Sequence, residues 1–217
     1  MGTMKNSNLI RSLVAACAMV GWSSQAAAVF IDFETDAGGA AITPEVSLLN
    51  QYASLGVVFS ALEDGQSVDP TIQSPDVFFG EPAFSGNNFA DNQIAGFGPS
   101  DSTNRADVFI MSFASAVSGV SFYVDPNGGA DPTFNAYDSA NNLLETIVVS
   151  TNGWNQITFA STNISRIEGI QPTDTWNYGI DDLAFTINEV PVPATIALLG
   201  LGLAGIGYRR RKQLEAA

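Results

Sequence analysis

Between Val29 and Glu189 the chain never sustains the 3.6-residue apolar period of a helix. Its apolar residues come in short runs: VFIDF at 29–33, LGVVFS at 55–60, DVFIMSFA at 107–114, GVSFYV at 119–124, TFNAYDS at 133–139, LLETIVVS at 143–150, WNQITFA at 154–160, ISRIEGI at 164–170 and YGIDDLAFTI at 178–187. They are rich in Val, Ile, Phe, Tyr and Thr, the residues of half-buried pleated strands. Turn formers separate them, among them Asp125-Pro126-Asn127-Gly128, Asp131-Pro132, Ser139-Ala140-Asn141-Asn142 and Asn152-Gly153. Nine or so short strands at this spacing predict an all-β fold, an antiparallel two-sheet sandwich of jelly-roll type. No repeat of fixed period is present, which argues against a propeller or β-helix. The stretch Ala61–Asn104 is less regular and is expected to form long loops with one or two brief strands.

Composition narrows the chemistry. The 217 residues suffice for one domain plus processing segments. Residues 29–189 carry 21 Asp and Glu against Arg105 and Arg166, a net of −19, so the body repels phosphate backbones and nucleic acid is excluded as a partner. There is no histidine, and the single cysteine, Cys17, lies near the N-terminus, which rules out His-dependent triads, His- or Cys-ligated zinc and disulfides in the body. A glycosidase needs two acids about 5–9 Å apart in a cleft, and no pair among the 21 is singled out. The expectation is a protein that is not an enzyme.

Both ends read as targeting segments. Lys5 and Arg11 precede the apolar run Leu13–Trp22, and Ala26-Ala27-Ala28 offers a small-residue cleavage pattern. Residues 1–28 are therefore expected to be a helical signal peptide, handled by the Sec machinery and signal peptidase. At the other end, Ala194–Tyr208 holds 15 uncharged residues, about 22 Å as a helix, just short of a bilayer core. The cluster Arg209-Arg210-Arg211-Lys212 would keep its end cytoplasmic and leave the body outside. Residues 190–213, a proline pair (Pro191, Pro193), an apolar segment and an arginine-rich end, resemble the PEP-CTERM sorting signal of bacterial exported proteins. Val192 stands where that family usually has an acidic residue. The resemblance implies recognition by an exosortase-type protease, a transient inner-membrane anchor and delivery to the cell envelope or extracellular matrix, with the body at 29–189.

Within the body, GIDDLAFTI raises a physical question. A period of two puts Asp181 on the same face as Leu183, Phe185 and Ile187, and Asp182 on the other with Ile180 and Ala184. A carboxylate at the rim of a core face needs a cation, N–H donors or water. With no lysine in the body, Ca²⁺ is a natural cation, and Asp32 and Glu34 share one side of the first strand. The alternative is that these acids are solvated or bonded to backbone amides. The segment Arg105–Ile187 also resembles jelly-roll carbohydrate-binding modules, in which a structural calcium commonly sits between an FE-type first strand and an ID-type last strand. That resemblance implies Glu34 and Asp181 as the leading calcium ligands, followed by Asp32 and Asp182. The loop Asp125–Asp131 is not an EF-hand, because Ala136 stands at the twelfth position.

Aromatics supply the last candidates. Trp154, Trp176, Tyr123, Tyr137 and Tyr178 could stack on sugar rings or simply pack a core, and Trp176, in the polar loop QPTDTWNYG with Tyr178, is the best placed for a ligand. Two readings follow: a non-catalytic surface or matrix component, or a module that binds envelope polysaccharide.

Overall fold

The computed structural model of the chain describes residues 26–74, 82–96, 105–127, 131–171 and 177–188. The expected signal segment up to residue 25, the sorting tail from residue 189 and Trp176 lie outside the described residues. Among the described residues there is no α-helix, and no helix long and apolar enough to cross a membrane.

The order of elements is β1 (Ala27–Ile31), β2 (Val46–Ser47), a 3-10 turn (Ala53–Leu55), β3 (Val57–Glu63), β4 (Gln66–Val68), β5 (Pro70–Gln73), β6 (Phe89–Ile94), β7 (Val108–Asp125), β8 (Thr133–Tyr137), β9 (Leu143–Val148), β10 (Asn155–Thr158), β11 (Ile164–Ile170) and β12 (Gly179–Ile187). The expected start of the body at Val29 falls inside β1, whose Ala27 and Ala28 pair with Ile187 and Thr186.

Every pairing is antiparallel, and β7 ties the strands together. Its first half, from Val108 to Phe113, pairs with β3 on one side and β11 on the other. Its second half pairs with β12 and β10. One layer thus runs β4-β3-β7-β11-β8-β9 and the other β2-β5-β6-β12-β7-β10, with β1 lying along the end of β12. The layers pack face to face, with Phe122 of the second against Phe134 of the first at 5.2 Å between ring centroids. This is the two-layer sandwich that the run pattern predicts.

The sequence pattern splits β7 into two strands, whereas the chain makes one. The reason is a change of phase. Phe109, Met111 and Phe113 face the core in the first half, and Val120, Phe122 and Val124 in the second. The register against β12 slips between Ala184 and Thr186, where Gly119 adopts φ +60°. A bulge of this kind flips the parity of a strand and bends it, which is how one strand can serve two layers. The region 61–104 is also more ordered than expected. Asp64 (φ +50°) and Gly65 (φ +74°) form the two-residue turn of the β3–β4 hairpin, and β5 and β6 complete the second layer.

Candidate functional site

The acids expected at the site are brought together by two kinks. In the first strand segment Phe33 takes φ +60° and is fully buried, a costly conformation for a bulky residue. The kink drives the ring into an edge-on cluster with Tyr52 and Phe59 while Asp32 and Glu34 flank it. In β12, Asp182 takes φ +51° and the register against β7 slips between Asp181 and Ala184. Asp181 therefore lies across from Tyr123, on the outward side of the layer, whereas Ile180 lies across from the buried Val124 and Leu183 enters the core. This corrects the face assignment made from simple alternation. Asp181 does not share a side with Leu183 and Phe185, because the bulge inverts the phase between them.

The segment 82–88 closes over this outward face. Ser85 N–H donates to Asp181 Oδ2 (2.9 Å), Ser85 Oγ–H to Asp182 Oδ1 (2.6 Å), and the N–H groups of Asn87 and Asn88 both donate to Glu34 Oε1 (2.6 Å each). The Asp182 N–H donates to Asp181 Oδ1 (2.8 Å), and the Glu34 N–H to Asp32 Oδ1 (3.1 Å). Glu34, Asp181 and Asp182 thus meet on one short segment, with Asp32 beside Glu34. Gly86 takes φ +56°, and a Cβ there would overlap the Glu34 carboxylate. Ala83 and Phe89 form a small apolar cluster with Trp154, apart from the main core, that holds the segment down. The Trp154 Nε1–H donates to Pro82 O at 2.8 Å.

The electrostatics of this cluster are unfavourable as they stand. Asp181 is fully buried, and burial pushes its carboxyl up to about 7. The amides of Ser85 and Asp182 oppose that shift, while the charges of Asp182 and Glu34 add to it. Tyr52 is buried nearby. Its phenol is pushed well up by burial, with Asp32, Asp36, Glu34 and Asp181 adding to the effect, so it is an O–H donor at all ordinary pH. Among the described residues neither Tyr52 Oη nor Asn88 Oδ1 has a hydrogen-bond partner. Asn88 Nδ2 is used, donating to Phe33 O (3.3 Å) and Ile42 O (3.1 Å), while its side-chain oxygen stays buried without a partner among the described residues.

For a calcium ion the donor set fits in kind: hard carboxylate oxygens from Glu34 and Asp181, and the unpaired amide oxygen of Asn88. Among the described residues no three carboxylates form a ready-made metal centre, so amide, carbonyl or water oxygens would have to complete the shell. Sequence reasoning missed Ser85, Asn88 and Tyr52. Their roles depend on how the 82–88 segment folds over the sheet, and nothing in a local pattern signals that.

A second buried polar group was also missed. In β6 Asp91, Asn92 and Gln93 are all buried. Asp91 accepts from Gln93 N–H (2.9 Å) and Asn177 Nδ2 (2.7 Å), and burial still pushes it up to about 7 against those bonds and the charge of Arg105. Arg105 is itself lowered by burial. Gln73 Nε2 donates to Gln93 Oε1 (2.9 Å), and Asn92 Oδ1 accepts the Tyr178 N–H (3.0 Å).

The aromatic candidates separate clearly. Tyr178 is fully buried, packs edge-on against Phe134 at 5.4 Å and donates its hydroxyl to Gly169 O at 2.8 Å. It presents no face to a ligand, so its expected stacking role is withdrawn. Tyr137 lies under the Arg166 guanidinium at 4.7 Å. Tyr123 is stacked by Phe84, which is 42 % exposed and meets Trp154 edge-on at 6.4 Å. Phe84, which the run pattern does not single out, is therefore the exposed aromatic of this face.

Residues 189–212 match the PEP-CTERM protein-sorting motif. The chain carries that sorting signal. It is thus an exported protein, held transiently in the membrane, processed by the exosortase route and delivered to the cell surface. No curated protein matches the sequence. Similar solved structures include the K1 cleaved adhesin domain of Lys-gingipain from Porphyromonas gingivalis W83, at 15% identity over 75% of this chain and 99% of that one, with a TM-score of 0.47. The K2 adhesin domain of Lys-gingipain matches at 13% identity over 75% and 99%, with a TM-score of 0.48. The CBM22-1 xylan-binding domain of Paenibacillus barcinonensis Xyn10C matches at 12% identity over 77% and 99%, with a TM-score of 0.40.

Proposed function

We propose that the body, residues 29–189, is a non-catalytic, acidic β-sandwich of the cell surface or extracellular matrix, and that a calcium ion locks its first strand segment to its last. In this reading residues 1–28 are a signal peptide that engages the Sec machinery and is removed by signal peptidase, and residues 190–213 are the sorting segment. Glu34 and Asp181 would be the leading ligands, followed by Asp32 and Asp182, with amide, carbonyl or water oxygens completing the shell because no three carboxylates among the described residues converge on one point. The carrying observation is Asp181: a fully buried carboxylate whose carboxyl is pushed up by burial, with the charges of Asp182 and Glu34 adding to the shift. A bound cation would offset both the burial and the repulsion. The chemistry it supplies is cross-linking, not catalysis, and the absence of histidine and lysine from residues 29–189 supports a non-enzymatic role. The test is a melting curve of the processed protein in calcium and in chelator. A cation that binds only the folded state raises the midpoint with concentration. Equal midpoints would remove the metal from the proposal.

A second reading, binding of envelope polysaccharide, is favoured by one feature. Phe84 lies flat on Tyr123 beside Trp154 with two-fifths of its surface exposed, the kind of apolar ledge on which sugar rings stack. A glycan array with the native protein, Phe84→Ala and Trp176→Ala separates the readings. Binding lost in either variant supports a sugar site, and no binding by the native protein leaves the structural role alone.

A further inference from the structure

The main core holds Tyr52 and Tyr178, and the two differ in what their polar ends do. Tyr178 donates its hydroxyl to Gly169 O. Tyr52, only 1 % exposed, has no hydrogen-bond partner for Oη among the described residues. A hydroxyl buried in that way costs stability that a phenylalanine ring in the same place would keep.

The ring is held firmly. It packs edge-on against Phe33 at 5.7 Å and against Phe59 at 6.1 Å. Its segment is tied to the first strand segment where the Ala37 N–H donates to Gln51 O at 3.0 Å. The stretch from Asp32 to Asp36 therefore lies against it, with an acid at every second position: Asp32, Glu34 and Asp36. Burial, and after it the charges of Asp32, Asp36, Glu34 and Asp181, keep the phenol protonated. Asp32 commits Oδ1 to the Glu34 amide, Asp36 commits Oδ1 to the amides of Gly38 and Ala40, and nothing among the described residues bonds the Oδ2 of either. The two arginines of residues 29–189 are engaged elsewhere, Arg166 with Glu168 at 2.9 Å and Arg105 beside Asp91. A donor set among acids and bonded to none of them stands off by the width of a small bridging group. Water suits such a place, since a buried water needs about two to four polar partners.

We propose that Tyr52 is a positioning residue of the cation site: its hydroxyl donates to a water of the ion's shell, whose own protons go to Asp32 and Asp36. Every bonding position of that water is then filled, one lone pair by the phenol proton, the other by the ion, and both protons by carboxylates. The inference rests on the calcium reading above. It adds to that reading the residues Tyr52 and Asp36, which act on the ion through water and orient the acids of the first strand segment around it.

Tyr52→Phe tests this, because it keeps the ring packing and removes only the hydroxyl. A hydroxyl with no part in the site predicts unchanged calcium binding. The proposal predicts that titration calorimetry of the processed protein shows calcium bound about tenfold more weakly in Tyr52→Phe. Asp36→Asn, whose Oδ1 can keep its amide bonds, should weaken binding as well. The double variant should bind no worse than the weaker of the two single variants, since both break the same bridge. Calcium should also shift the near-ultraviolet tyrosine absorption of the native protein, and the shift should vanish in Tyr52→Phe. Calcium binding by Tyr52→Phe equal to that of the native protein, or losses in the two single variants that simply add, overturns the role of Tyr52 and leaves the calcium reading standing. A native protein that binds no calcium overturns both.

Discussion

β12 looks into two interiors of opposite chemistry. On one side Ile180, Leu183 and Phe185 join the core between the layers, where Phe109, Phe122, Phe134 and Ile167 are fully buried. On the other, Asp181 lies under the 82–88 segment with Glu34, Asn88 and Asp182. Both regions bury side chains, the second only Asp181 and Asn88 under an otherwise partly exposed segment, and for different reasons. The first gains from every methylene it hides. The second hides charge, and is stable only as far as amides, protons or a cation compensate it.

The contrast makes the molecule breakable in two distinct ways, and the largest expected effect is in the apolar region. Phe134→Ala removes a ring that touches Phe122 and Tyr178 and should cost about 3–5 kcal/mol in denaturant unfolding. The calcium-induced rise in midpoint should survive it, and its loss would mean the two regions are not separable. Next comes the acidic region. Asp181→Asn should abolish the rise in melting temperature on adding calcium, and a variant that keeps the full rise would take Asp181 out of the site.

Titration sharpens the same contrast. Asp181 and Asp91 have carboxyls raised from 3.8 to about 7 in the folded state. The fold binds those protons more tightly than the unfolded chain does. Their contribution is therefore full below about pH 4 and is lost as pH rises through about 7, by up to about 1.4 kcal/mol per pH unit and group. In chelator the melting temperature should fall between pH 5 and 7.5. Calcium should flatten that slope by holding Asp181 ionised, and leave the part due to Asp91. A midpoint that climbs with pH in chelator would contradict both assignments. A smaller loss is expected from Gly86→Ala, on the order of 1–2 kcal/mol for forcing a Cβ into the left-handed region, with a weaker calcium response because Glu34 must move. Phe84→Ala is expected to be the mildest, within about 1 kcal/mol, since the ring is already two-fifths exposed.

The apolar half of this contrast was legible in the sequence and the polar half was only partly so. Alternation in FIMSF, SFYVD, TFNAY and DLAFTI marks the strands because a face that meets hydrocarbon must repeat every second residue. The same rule misplaced Asp181, because a bulge at Asp182 needs a left-handed residue that Asp tolerates but does not announce. β6, with FADNQI, read as irregular because its polar residues are satisfied by Asn177, Ala106 and Gln73, partners from distant segments. Asp64-Gly65 was a local hairpin signal that could have located β4. Pairing Glu34 with Asp181 followed from family resemblance, and the segment that joins them could not have been foreseen.

The shared strand has one more consequence. Since β7 is the spine of both layers, neither can melt while the other persists: peeling away β11 and β3 frays the strand on which β12 and β10 depend. A fluorophore near Trp154 and an amide probe in β11 should therefore lose their native signals at a single common midpoint, as parts of one all-or-none transition.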